Sequence, residues 1–168
     1  MICLFVLIAG IALPGRQQPA AETGSEARIW MALAPAEWEA DLAPLVAARA
    51  AQGWTARFVA LEDALAAPPA ASGADAPERL KKFLHAEWRG AGLTHVLLAG
   101  DCDVMPVRFM MLDRVTEAAA HCAFYASDLY YADLARADGS FDDWNARADG
   151  IHARYFGEVR GEHHKNSP

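Results

Sequence analysis

The 168-residue chain carries 15 Lys plus Arg against 22 Asp plus Glu, a formal charge of −7 at pH 7. That balance repels a phosphate backbone, so a nucleic-acid partner is not expected. With 54% hydrophobic and 22% charged residues the composition is globular, and no internal apolar run reaches the ~18 residues that would span a bilayer.

Taken in order, the chain opens on an apolar run from Ile2 to Leu13, followed by Gly15-Arg16 and a polar Ala/Pro-containing stretch. The length matches the apolar core of a signal peptide, although no Lys or Arg precedes it and no clean Ala-x-Ala site follows. Residues 1–27 are therefore read as a signal peptide, or an N-terminal anchor, plus linker. The expected location is secreted or cell envelope. Export would leave Cys102 and Cys122, which could form a disulfide in an oxidising compartment or remain two buried thiols.

Ile29 to Leu33 reads as a short buried strand stopped by Pro35. The next segment, from Ala36 to Gly53, is helical, with Asp41 as its cap, Pro44 in its first turn and Gly53 as its stop, after an earlier turn at Glu37 to Ala40. Trp54, Ala56, Phe58 and Ala60 then alternate against Thr55, Arg57 and Val59 as in a strand. An Ala/Pro-rich linker leads to a helix with Pro77 near its start. Leu80, Phe83, Leu84 and Trp88 form its apolar stripe, and Gly90 or Gly92 ends it. His95 to Ala99 is a third strand.

Strand, helix, strand, helix, strand predicts a three-layer α/β sandwich with a mainly parallel sheet. Ligands of such sheets gather beyond the carboxyl ends of the strands, where Gly100, Asp101 and Asp103 lie. VRFMML after Pro106 suggests one more short strand. From Ser127 the chain reads as polar loop, and residues 159–168 as a disordered tail.

Three constellations invite chemistry. Asp101-Cys102-Asp103 has the D-x-D form of aspartate-based phosphatases but lacks their first-strand position, so a turn or a metal explains it better. Asp143, Asn145 and Asp149 place oxygen side chains at the first, third and seventh positions of a loop, the alternation that turns ligands toward one calcium ion. Asp138, Asp142 and Asp101 could complete the shell, whereas Arg147 at the fifth position is electrostatically wrong for it. A solvated acidic loop is the plain alternative. His121-Cys122 places neighbouring side chains on opposite faces, a poor catalytic pair. His163-His164 lacks companion zinc ligands. Tyr125, Tyr130, Tyr131 and Phe141 read as packing residues and His85 as structural.

LVAARAAQGWTARFVALED, then THVLLAGDCDVMPVRF, then SDLYYADL with its acidic Gly-containing loop, resembles the first half of the catalytic domain of gingipain-type cysteine peptidases, over about Ile29 to Glu158. The resemblance implies a caspase-like fold, present here as an incomplete domain over residues 28–158. It also implies cleavage of protein or peptide substrates by a Cys nucleophile and a His base. The Gly-His-Gly strand end and the later strand-end Cys that carry that pair are not in this sequence, so no residue here is assigned a catalytic role. The resemblance further implies a structural calcium joining Asp101 to the acidic loop, with Asp138, Asp143, Asn145 and Asp149 as its ligands. The expected function is the N-terminal fragment of a secreted cysteine endopeptidase. The alternative is a non-catalytic, calcium-binding secreted interaction module.

Overall fold

The computed structural model describes residues 4–6, 28–113 and 122–145. Its centre is a sheet of three parallel strands: β2 (Ile29–Ala34) between β3 (Thr55–Ala60) and β4 (Leu93–Leu98). β1 (Leu4–Val6) pairs antiparallel with the outer edge of β4, Leu4 against Leu98 and Val6 against Val96. The sequence predicts the three parallel strands. It does not predict that residues from the leader-like run would close the β4 edge, which is otherwise a row of unpaired backbone groups.

Helices cover both faces, because β2 is apolar on both. Met31 and Leu33 face one layer, with Leu80, Phe83 and Leu84 of α3 (Ala76–Ala91). Trp30, Ala32 and Ala34 face the other, with Leu42, Leu45 and Val46 of α1 (Glu39–Ala51). A strand buried on both faces has no polar alternation, which is the pattern expected of a central parallel strand.

The α1 boundary differs from the expectation. A 3-10 turn at Ala36–Trp38 runs directly into the helix at Glu39, so Asp41 lies inside the first turn and does not cap it, and Pro44 sits within the helix. The hydrogen bond that Pro44 cannot donate is missing on the exposed side of the helix, where water can satisfy the carbonyl left free. The Ala/Pro-rich linker also carries structure: a one-and-a-half-turn helix, α2 (Leu61–Ala66), and a 3-10 turn at Ala70–Ser72. Leu61, Ala64 and Ala70 are buried there. So short an element shows too few apolar repeats for its period to be read from sequence.

α3 follows its expected rules. Asp75 caps it by accepting from Glu78 N at 3.0 Å, Pro77 occupies its first turn, and Gly92, in the left-handed region at φ 75°, ends it.

Beyond β4 the chain forms a second, two-stranded antiparallel sheet of β5 (Arg108–Asp113) and β6 (Cys122–Ser127). β6 is not predicted. The segment after Ser127, read as loop, instead begins with the short helix α4 (Leu129–Ala132). It then folds back through an Ala135–Phe141 bridge, and Tyr130, Tyr131, Leu134 and Trp144 enter the main core. Four large apolar anchors within fifteen residues outweigh the polar composition between them, because each contributes about 1.5–3 kcal/mol on burial. Among the described residues no helix is long and apolar enough to cross a membrane.

Candidate functional site

The turn after β4 and the acidic loop both pack on the α3 side of the sheet, the turn through Met105 and the loop through Leu134 and Trp144. Gly100 leaves the strand with φ 138°, and a side chain there would come within 3.0 Å of Val104, so only glycine fits this close approach. The turn that follows is held by its own first residue. Asp101 O accepts from Val104 N at 3.1 Å and Met105 N at 2.8 Å, and Asp101 Oδ1 accepts from Asp103 N at 3.0 Å. Buried Met105 locks the turn to the core, and Tyr131 donates its hydroxyl to Pro106 O. Asp101, Cys102 and Asp103 stay exposed, and the Cys102 thiol is free. Neither a bridge to Cys102 nor its burial is found. A turn two to four residues past the strand end carries the side chain out of the core.

The loop from Asp133 to Asn145 is built on a tight reversal. Arg136 N donates to Ser140 O and Gly139 N to Arg136 O, both at 2.8 Å. Asp138 Oδ1 accepts from Ser140 N at 2.9 Å and Ser140 Oγ at 2.6 Å, and these bonds hold its carboxyl below the usual carboxylate range. Two further Asx turns follow: Asp142 accepts from Trp144 N and Asp143 from Asn145 N, each at 3.0 Å, and Asp143 also lies 3.6 Å from the Arg136 guanidinium. Asp133 accepts from Trp144 Nε1 at 2.8 Å. His85 of α3 donates from Nε2 to Gly139 O at 3.1 Å and packs edge-on to Phe141, the structural role expected of it.

Of the five residues expected to bind calcium, Asp101, Asp138, Asp143 and Asn145 are described, and Asp149 is not. Asp101 lies on the β4 turn and the other three on the loop. Among the described residues no three His, Cys, Asp or Glu side chains converge on one point as metal ligands would. Asp101, Asp138 and Asp143 each accept one backbone N–H of their own turn, which leaves further lone pairs on every carboxylate. His121, His163 and His164 also lie outside the described residues.

The cation that does sit against this loop is Lys81, which the sequence reading passed over. It is fully buried on α3, its Nζ 4.1 Å from the centre of the Tyr130 ring, 5.1 Å from Trp144 and 5.7 Å from Phe141, with no hydrogen-bond acceptor among the described residues. Burial pushes its pKa down to about 7, against the pull of Asp133, Asp142 and Asp143. Tyr130, Tyr131 and Phe141 pack as expected, and Tyr130 and Phe141, with Trp144, also cage this ammonium. A signal existed: Lys81, Leu84 and Trp88 share one helical face, three and four residues apart.

Compared with known proteins, the family model described as peptidase family C25 matches residues 26–155. No curated protein and no solved structure matches the chain.

Proposed function

Since the chain belongs to peptidase family C25, the gingipain family of cysteine peptidases, we propose that it builds the first α/β portion of an exported endopeptidase's catalytic domain, with the Cys/His pair supplied by residues outside it. The family implies protein substrates. What carries the reading is the coincidence of the matched span, 26–155, with the parallel sheet and the face at its carboxyl end. Cys102 follows β4 at its carboxyl end, while His95 lies near the opposite end of the same strand, some 20 Å away at ~3.3 Å per residue. His85 is committed to Gly139 O.

The gene beyond the codon for Pro168 tests this. A continuation, in frame or shifted, that encodes a strand-end His and a later strand-end Cys is the expected finding. The chain alone should not hydrolyse peptides in the presence of a thiol reductant; hydrolysis abolished by Cys102→Ser would move the nucleophile into this chain and overturn the assignment.

A calcium ion stapling Asp101 to the loop belongs to the same proposal, supported by the oxygen-rich composition of the loop and requiring donors beyond Asn145. Calcium should then raise the thermal midpoint of the wild-type chain by a few degrees, as binding to the folded state does by mass action. Asp101→Ala should lose that shift. The same shift in both proteins would remove Asp101 from the site.

A further inference from the structure

At the opposite end of the sheet, where the three parallel strands begin, basic side chains are gathered. Arg28 immediately precedes β2, Trp54 immediately precedes β3, His95 lies in β4 opposite Trp30, and Arg49 stands in the last turn of α1. Two backbone bonds fix the spacing, Thr55 N to Arg28 O at 2.9 Å and Trp54 N to Arg49 O at 3.2 Å. The Trp54 indole is the common wall. The Arg28 guanidinium lies 3.9 Å from its centre on one side, and the His95 ring meets it edge-on at 4.7 Å. The Arg49 guanidinium lies 5.7 Å from the Trp30 ring and gives one nitrogen to Gln52 Oε1 at 3.0 Å.

Among the described residues no carboxylate forms an ion pair with Arg28 or Arg49; the ion pairs use Arg57, Lys82, Arg108 and Arg136. Arg49 Nε and His95 Nδ1 are shielded from solvent with no hydrogen-bond partner. Burial, then Arg28 and then Arg49 press His95 toward its neutral form. Arg28 and His95 against Trp54, with Arg49 over Trp30 and two of these nitrogens shielded and unsatisfied, form a cluster that an anion would stabilise.

We propose that this cluster at the amino ends of β2, β3 and β4 binds an oxyanion, a carboxylate or phosphate group, held between the Arg28 and Arg49 guanidiniums with His95 as a further donor and Trp54 as its apolar wall. Guanidinium forks match the geometry of both groups, and the flat indole suits a ligand with an apolar surface beside its charge. The site lies at the far end of β4 from Asp101, so it does not depend on the peptidase reading.

The test follows the ring protons of His95 by NMR in the full chain, titrating inorganic phosphate and, separately, succinate, with sodium chloride holding ionic strength constant. The expected result is a saturable shift of His95, a rise in its pKa with bound anion, and an unmoved His85. Saturation by phosphate alone assigns a phosphate ligand and by succinate alone a carboxylate ligand; saturation by both assigns a general oxyanion site. Arg28→Gln and Arg49→Gln, both at least partly exposed and so tolerable to the fold, should each weaken binding about tenfold, the loss of one charge-assisted contact. Thermal midpoints provide a second readout: the anion should stabilise the wild type and not the double variant. A shift of His95 no larger than sodium chloride produces, or one that survives both substitutions, overturns the proposal.

Discussion

Raising the pH from 7 to about 9.5 should stabilise the folded chain, and Lys81→Met should remove that dependence. Burial and attraction compete at Lys81. Three nearby carboxylates favour the ammonium, yet its pKa falls from 10.5 to about 7, so burial wins. The unfolded chain keeps this proton up to about pH 10.5, whereas the folded chain gives it up near pH 7. Across that interval the unfolded state binds more protons, and stability rises with pH. At about 1.4 kcal/mol per pH unit the ceiling is about 5 kcal/mol, approached only toward the upper end of the window. The phenols set the upper bound: burial pushes Tyr130 up to about 12 and Tyr131 higher still. Above pH 10 the unfolded state therefore loses its phenolic protons first, and the gain reverses. Urea unfolding at half-unit pH intervals measures all of this. Methionine preserves most of the buried stem without a charge, so the variant should be nearly flat between pH 7 and 9.5. A flat wild-type profile would mean that Lys81 reaches water in the folded chain.

Asp75→Ala should cost about 3 kcal/mol, because one carboxylate does two jobs. It caps α3 through Glu78 N, and it receives both terminal nitrogens of Arg108 from β5, at 2.7 and 2.9 Å. The Arg108 side chain is only 14% exposed, and burial opposes its charge. Its bonds to Asp75 contribute to a net rise in its pKa above the ordinary value. Losing a cap costs about 1 kcal/mol. Leaving the guanidinium without its fork costs about 2 more, a figure already reduced because Asp75 is 43% exposed and its charge partly screened. Asp75→Asn separates the contributions: the amide still caps, so its loss in urea unfolding should be close to the Arg108 share alone. An Asp75→Ala cost below 1 kcal/mol would show that the pair adds nothing.

The layered sheet was legible because its signals are local. Pro35 stops one strand, Gly92 ends one helix, and Ile29 to Ala34 is apolar on both faces, as only a central strand can be. What the sequence concealed depends on distant partners. Lys81 looks like any surface lysine until Tyr130 and Trp144, some fifty residues later, fold over it, and β6 has no meaning without β5 to pair with. The acidic loop is legible only as a composition. Whether its oxygens face a metal depends on turn geometry, and the sequence could not show the Asx turns that Asp138, Asp142 and Asp143 make. Asp101 lies on the turn after β4 and Asp138, Asp143 and Asn145 on the loop, and Asp149 lies outside the described residues.

Helix α3 is joined to its surroundings by side chains of three kinds. Asp75 grips β5, Lys81 sits under the aromatic residues of the loop, and His85 holds the loop's reversal at Gly139. These attachments fall at intervals of six and four residues along a single rigid rod, so the loop has no independent hinge against it. In mechanical terms the hairpin, the helix and the loop behave as one lever resting on the sheet. A displacement of α3 would therefore be felt at β5 and at the loop together.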